Sequence, residues 1–209
     1  MESKMKRSTA FKRSFHNHLK ERMTISLQLI NDCVDGDRKA QFQLYRQCYG
    51  ILMGVCMRYR KNENDAAEVL NVGFMKILTN IGKYKKEVPF EAWIRRIMIN
   101  TLIDDFRKNR KVKELIEHTD FEHEEIFTES VDYNLADQMF DAQQIEALIQ
   151  KLPPMSQKVF NLYAIDGYSH KEVGKLLGIS DGTSKWHLSF ARKKLQELMQ
   201  QMISSTKAM

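Results

Sequence analysis

The chain has 209 residues and a net charge of +6, and its 43% hydrophobic and 29% charged residues are the composition of an ordinary globular protein of one large or two small domains. The longest apolar run, ILMGVCM from Ile51, falls far short of the roughly 18 residues a membrane helix needs, and the N-terminus lacks the apolar segment of a signal peptide, so membrane insertion and export are not expected. Three cysteines, Cys33, Cys48 and Cys56, stand at no metal-ligand spacing and read as reduced thiols of a cytoplasmic protein, while the positive charge favours a polyanionic partner.

Residues 1–22 are a basic arm, with Lys4, Lys6, Arg7, Lys12, Arg13, Lys20 and Arg22 against Glu2 and Glu21, and are expected to be a solvated tail. A helical domain is expected over residues 23–112. Thr24 is placed to cap a short helix ending near Asp35–Gly36. Asp37 is placed to cap a long helix that buries Phe42, Tyr45, Tyr49, Leu52 and Cys56. Asn62–Asn64 break it, and a third helix from about Asp65 turns Ala67, Leu70, Phe74 and Ile77/Leu78 inward. No period-2 strand pattern occurs.

The stretch Val88–Lys113 opens with Pro89 at a first helical position and Glu91 in the first turn. Phe90, Ile94 and Ile97 form its core stripe, whereas Trp93, Arg96 and Asn100 share another face. An indole, a guanidinium and an amide on one face can stack on bases, hold phosphate and bond base edges. Thr101 with Asp104 suggests a second helix start, and Arg107 and Lys108 begin a basic end. The plainer alternative is an amphipathic helix pair with a solvated tail and a half-buried Trp93.

Residues 113–134 switch sign and read as an acidic, self-repelling linker. His118 and His123 lie among its acids, but their spacing matches no zinc pattern, so no metal or cofactor is expected. A second helical domain follows over residues 135–204. Asp141–Lys151 reads as a helix, and Leu152-Pro153-Pro154 starts another through Ala164. Asp166–Gly167 then turns. Ser169 and Glu172 form a capping box before HKEVGKLL, Gly178-Ile179-Ser180 turns tightly, and a last helix from Asp181 buries Leu188, Ala191, Leu195, Leu198 and Met202. Two helices joined by a short glycine turn make either a helix-turn-helix or a plain helical hairpin. In the first case Lys185, Trp186, His187, Ser189, Phe190 and Arg192 face outward toward a major groove.

GDRKAQFQLYRQCYG, AAEVLNVGFMKIL and FEAWIRRIMINTLIDDFRKNRK resemble successive parts of the second conserved region of sigma-70-family RNA polymerase sigma factors, in particular the extracytoplasmic-function (ECF) class. LPPMSQKVFNLYAIDGYSHKEVGKLLGISDGTSKWHLSFARKKL resembles the fourth region of the same family. The resemblance implies an all-α protein of two small helical domains. Glu68, Asn71 and Phe74 would dock on the clamp of the largest subunits of polymerase core. Trp93, Arg96, Asn100, Arg107 and Lys108 would open and hold the −10 element, and the last helix would read the −35 element. It also implies an anti-sigma factor as a partner.

The match departs from the family pattern in three places. Asn71 and Val72 stand where the family has Gln and Glu, His187 and Phe190 stand at usual arginines, and Gln157 stands at another. No catalytic set is present. Asp104 and Asp105 are adjacent and diverge on a helix, and no Ser or Tyr stands beside a plausible base. The alternative reading is a stand-alone helix-turn-helix regulator that binds duplex DNA without polymerase. It leaves the Trp93 face and the Glu68–Phe74 helix without a role.

Overall fold

A computed structural model of the chain describes residues 25–114 and 142–207, with side chains at 25–109 and 144–204. Among these residues every regular element is a helix, and they fall into two compact units, one on each side of residues 115–141. The basic arm, His118, His123 and nearly all of the acidic segment lie outside the described residues.

The N-terminal unit holds α1 (Leu27–Val34), α2 (Arg38–Met57), α3 (Glu63–Asn80), a 3₁₀ turn (Ile81–Lys83) and α4 (Phe90–Glu114). Ser26, not Thr24, caps α1, its hydroxyl accepting from the Leu29 amide. Asp37 caps α2 through one carboxylate oxygen facing the amides of Lys39 and Ala40. Asn62 caps α3 one residue before Glu63 and also bonds Asp65. Each cap satisfies amides that have no partner within their helix.

Helix α2 packs against α1, α3 and α4. Its buried line is Ala40, Leu44, Cys48, Leu52, Val55 and Cys56, so the expected aromatic stripe is only partly inside. Leu52 and Cys56 are buried and Tyr45 is half-buried, but Phe42 is 63% exposed and Tyr49 is exposed too. The reason is geometric. At about 100° per residue the apolar residues of α2 span an arc of roughly 260°, from Ala40 past Phe42 to Met57. Three neighbouring helices cover only part of that arc. On α3 the buried set is Ala66, Val69, Leu70, Gly73, Phe74 and Ile77, with Ala67 and Leu78 at its margins.

Helix α4 is one helix of 25 residues, without the second start expected at Thr101. Thr101 is buried, and its hydroxyl donates to the Ile97 carbonyl 2.9 Å away, one turn back. A threonine bonded in this way continues a helix rather than capping one. Pro89 sits just before the helix, with its carbonyl accepting the first helical bond from Trp93. Phe90 and Ile94 are buried as expected, but the core line then runs through Met98, Ile99, Leu102 and Ile103, leaving Ile97 half-buried. Asp104 and Asp105 indeed diverge: Asp104 pairs with Lys76 at 3.4 Å, and Asp105 pairs with Arg60. All three cysteines are free and buried, and burial pushes the thiols of Cys48 and Cys56 up to about 12.

The C-terminal unit holds α5 (Ala142–Gln150), α6 (Pro154–Phe160) running into a π turn (Asn161–Ile165), α7 (His170–Leu177) and α8 (Asp181–Lys207). Helix α8 packs on α5, α6 and α7. The expected capping box is formed: Ser169 Oγ accepts from the Glu172 amide, and the Glu172 carboxylate accepts from the Ser169 amide at 2.8 Å. Gly178 ends α7 in the left-handed region at φ 69°, where a side chain would be strained. Leu188, Ala191 and Leu195 of α8 are buried, and Leu198 and Met202 are half-buried.

The turn between α7 and α8 closes on Gly174. Its carbonyl accepts from both Gly178 and Ile179, and a Cβ at Gly174 would lie 2.7 Å from the Ile179 carbonyl oxygen. The obstacle is backbone, so it cannot rotate away. Gly174→Ala is expected to destabilise the C-terminal unit by about 1–3 kcal/mol, the usual cost of overpacking, seen as a lowered unfolding midpoint by circular dichroism.

Candidate nucleic-acid and protein interfaces

Helix α4 presents the first candidate surface. Because it is unbroken, Trp93, Arg96, Asn100 and Arg107 fall within an arc of roughly 60° along one rod, spanning about 21 Å. Arg96, Asn100, Arg107 and Lys108 are exposed. Asp104 lies in the same arc, and its charge is offset by Lys76. Trp93 is only half-exposed, because its ring leans on Tyr84 at 5.4 Å and Phe90 at 5.6 Å. Tyr84 is itself held by its hydroxyl, which donates to the Val88 carbonyl at 2.8 Å. Trp93 is thus braced by two rings and left half-exposed, and both parts of the sequence reading, half-buried and outward-facing, describe it.

The second candidate surface is the outer edge of α3. Glu68 and Asn71 are exposed there, and the Asn71 amide oxygen accepts from the Tyr45 hydroxyl at 3.1 Å. Phe74 is not on this edge: it is buried, with Tyr45 packed edge-on against its ring at 4.9 Å. Its placement supports the surface from beneath. Sequence reasoning missed the apolar part of this region, where Val72 and Met75 of α3 are exposed, as are Phe42 and Tyr49 of α2. The over-wide apolar arc of α2 was the signal that could have found it. A groove of about 610 Å³ between α3 and α4 is lined by charged side chains of both signs, among them Glu68, Lys76, Asp104 and Lys108.

The third candidate surface is the first half of α8. Lys185 is exposed and ion-paired to Asp181 at 2.6 Å, which holds the Asp181 carboxyl below its usual range. Ser189 and Arg192 are half-exposed. Trp186 and Phe190, also half-exposed, stack with ring centres 5.5 Å apart and planes 18° apart. His187 does not face outward as expected. It is 9% exposed, and its Nδ1 lies 2.9 Å from the buried Ser156 hydroxyl. At about 200° from Lys185 around the helix, position 187 borders the packed side. Gln157 and Lys158 of α6 are buried with Ser156, so no charge stands outward at position 157.

Two histidines therefore tie α8 to its neighbours, His187 to α6 and His170 to α7. Besides His187, His170 at the start of α7 lies 3.0 Å through Nδ1 from Ser184 Oγ of α8 and stacks on Tyr163 at 4.2 Å.

Comparison with known families matches residues 44–112 to the model of sigma-70 region 2 and residues 142–195 to that of sigma-70 region 4, in that order and together over more than half of the chain. The chain belongs to the sigma-70 family. Several of its similar relatives are named as ECF sigma factors. It is 24% identical over 175 residues to the ECF RNA polymerase sigma factor SigM of Mycobacterium tuberculosis, covering 82% of this chain and 83% of that one. It is 23% identical to ECF sigma factor SigE of Mycolicibacterium smegmatis, covering 78% of this chain but only 63% of that relative. RNA polymerase sigma factor SigZ of Bacillus subtilis is 27% identical over 68% of this chain and 77% of its own length. Among solved structures, the sigma factor RpoE in complex with the anti-sigma factor NepR from Bartonella quintana matches at TM-score 0.47 and 20% identity, over 76% of this chain and 95% of that one.

In this sigma-70 chain, region 2 carries the first two surfaces and region 4 the third. Acid is expected to weaken the His170 link of region 4. Burial, the largest cause, pushes the His170 imidazole below its ordinary 6.5; Lys185 and Arg192 push it the same way, and Asp181 opposes them. The unfolded chain therefore takes up the proton first. Stability from neutral His170 is whole above pH 6.5 and is lost as pH falls below it. The unfolding midpoint of region 4, followed by Trp186 fluorescence in a Trp93→Phe background, is expected to drop between pH 7 and pH 5. His170→Gln should flatten that dependence.

Proposed function

We propose that this chain is a dissociable promoter-recognising subunit of RNA polymerase. It binds the core enzyme, directs it to −35 and −10 elements and helps open the duplex. The observation that carries this reading is the order of region 2 and region 4 on two separate helical units, each with its own outward surface. A stand-alone regulator would need the region 4 unit alone. On this reading the chain is a binding protein with no catalytic step, works in the cytoplasm, and is held in reserve by an anti-sigma factor. No helix among the described residues is long and apolar enough to cross a membrane. The decisive test is run-off transcription from a cognate promoter with purified core, which should occur only when this chain is added.

The core-docking face is assigned to the α3 edge, with Glu68 and Asn71 as its polar part and exposed Val72 and Met75 as its apolar part. Phe74 acts from behind by setting the packing of Tyr45. Exposed apolar side chains gathered on one face of a folded unit are the usual mark of an interface. Replacing Glu68 and Asn71 together with Lys is expected to weaken core binding at least tenfold, the effect of about 1.4 kcal/mol, in a fluorescence anisotropy titration. The circular dichroism spectrum should stay unchanged, because both side chains are exposed.

The α4 face is assigned to the −10 element. Bases in a duplex hide their faces, so an indole cannot stack on them until the strands part. An open base that stacks on an aromatic ring gains about 1–3 kcal/mol. The half-exposed ring of Trp93, braced by Tyr84 and Phe90, offers that surface without first having to be ordered. Asn100 can bond the edge of a flipped base, and Arg96, Arg107 and Lys108 can hold the backbone beside it. Contacts made only by the open form shift the equilibrium toward opening. Trp93→Ala and Asn100→Ala are therefore expected to leave closed-complex binding nearly intact. Permanganate reactivity of unpaired thymines near −10 should fall, and a premelted template should restore transcription.

On the −35 side, Lys185, Ser189 and Arg192 are assigned phosphate and base-edge contacts. Lys185 must exchange Asp181 for DNA. His187, turned inward onto Ser156, holds the helix rather than reading sequence.

A further inference from the structure

The outward face of α8 carries an unusual chemistry for a helix that enters a major groove. Taking Lys185 as zero and about 100° per residue, Ser189, Lys193, Trp186 and Phe190 stand at roughly 40°, 80°, 100° and 140°. The buried residues Ala191, Leu195 and Leu188 stand at roughly 240°, 280° and 300° on the far side. The middle of the outward arc therefore holds the Trp186 ring beside Lys193, with Phe190 on one side and Lys185 on the other. Trp186 and Phe190 form a nearly parallel stack, 5.5 Å and 18°, with both rings half-exposed.

That stack is also built rigidly. Trp186 packs edge-on against His187 at 4.9 Å, and His187 is fixed by the buried Ser156 hydroxyl at 2.9 Å. A line of contacts thus runs from α6 through the imidazole to the indole and on to the phenyl ring. A surface fixed in this way can discriminate shape.

The edges of base pairs in a major groove present hydrogen-bond donors and acceptors and one apolar group, the 5-methyl of thymine. A rigid apolar platform gains nothing from donors or acceptors and can gain from a methyl. We infer that the Trp186–Phe190 stack is a thymine-methyl reader, which selects promoters by the 5-methyl groups of one or two thymines in the −35 element. This inference rests on the reading of α8 as the −35 helix. His187 is a positioning residue for the stack.

The test uses the full chain bound to polymerase core. Duplexes are first selected from a random −35 library. Each thymine of the selected site is then replaced by uracil, which removes the methyl and leaves pairing unchanged. Binding should weaken about fourfold per methyl at one or two positions, the worth of one buried methyl group. In Phe190→Ala and Trp186→Ala the same replacements should change binding less than twofold. Restoring the group with 5-methylcytosine at a C·G pair in the same position should recover part of the affinity for the unsubstituted chain only. A selected site that binds specifically and is indifferent to uracil at every position would overturn the inference and leave the −35 assignment standing. If no sequence is enriched, the −35 assignment itself fails, and the methyl reading with it. The uracil comparison on the unsubstituted chain decides the matter even where a variant folds poorly.

Discussion

The close crossing of α3 and α4 is the contact on which the N-terminal unit depends. Gly73 faces the fully buried Met98, and a Cβ there would lie 2.5 Å from Met98 Cε and 2.6 Å from Sδ. Thr101 sits one turn further along α4, buried and bonded back to Ile97. The absence of a side chain at position 73 lets the two helices approach and interlock. Everything outward follows from that inward fit. With Met98, Leu102 and Ile103 committed to the core, Arg96, Asn100 and Arg107 point away, and with Leu70 and Phe74 committed, so do Glu68, Asn71 and Val72. One packed interface thereby orients both the candidate polymerase-docking edge and the candidate −10 face.

The C-terminal unit uses polar links for the same purpose. Ser156–His187 and His170–Ser184 tie α8 to α6 and α7, and the capping box and the left-handed Gly178 set the ends of α7. Pairing each imidazole with a hydroxyl gives both polar groups a partner, which avoids the cost of leaving a buried one unsatisfied. These links are specific in direction where apolar packing is not. His170–Ser184 links α7 to α8, and Ser156–His187 links α6 to α8.

Each candidate surface sets aromatic rings among polar and charged groups, and two of the lysines are neutralised by a carboxylate. Lys185 is paired with Asp181 and Lys76 with Asp104. Such exposed pairs contribute little stability. They are also easily exchanged for phosphate, since a lysine moving from a carboxylate to a phosphate keeps a counter-charge throughout. The net charge of +6 draws the chain toward a polyanion. The proposed discrimination lies in the ring stacks and in groups that reach base edges, and not in the overall charge.

Much of this was legible in the amino-acid order. Asp37 as a cap, the Ser169–Glu172 box, the turn at Gly178 and the two sigma-70 regions are local patterns, because a cap or a turn is decided by residues a few positions apart. Tertiary structure decided what local patterns leave degenerate. Which part of the wide apolar arc on α2 is buried depends on where α1, α3 and α4 lie, so Phe42 and Tyr49 came out and Leu44 and Cys48 went in. Thr101 can cap or continue a helix, and the packing against α3 made it continue, bringing Arg107 onto the face of Trp93. His187 stands at the border of two faces, and a hydroxyl 31 residues earlier in the chain drew it inside. Local hydrogen bonding is written in neighbouring residues, whereas the choice of a buried face is made by the helices that come to cover it.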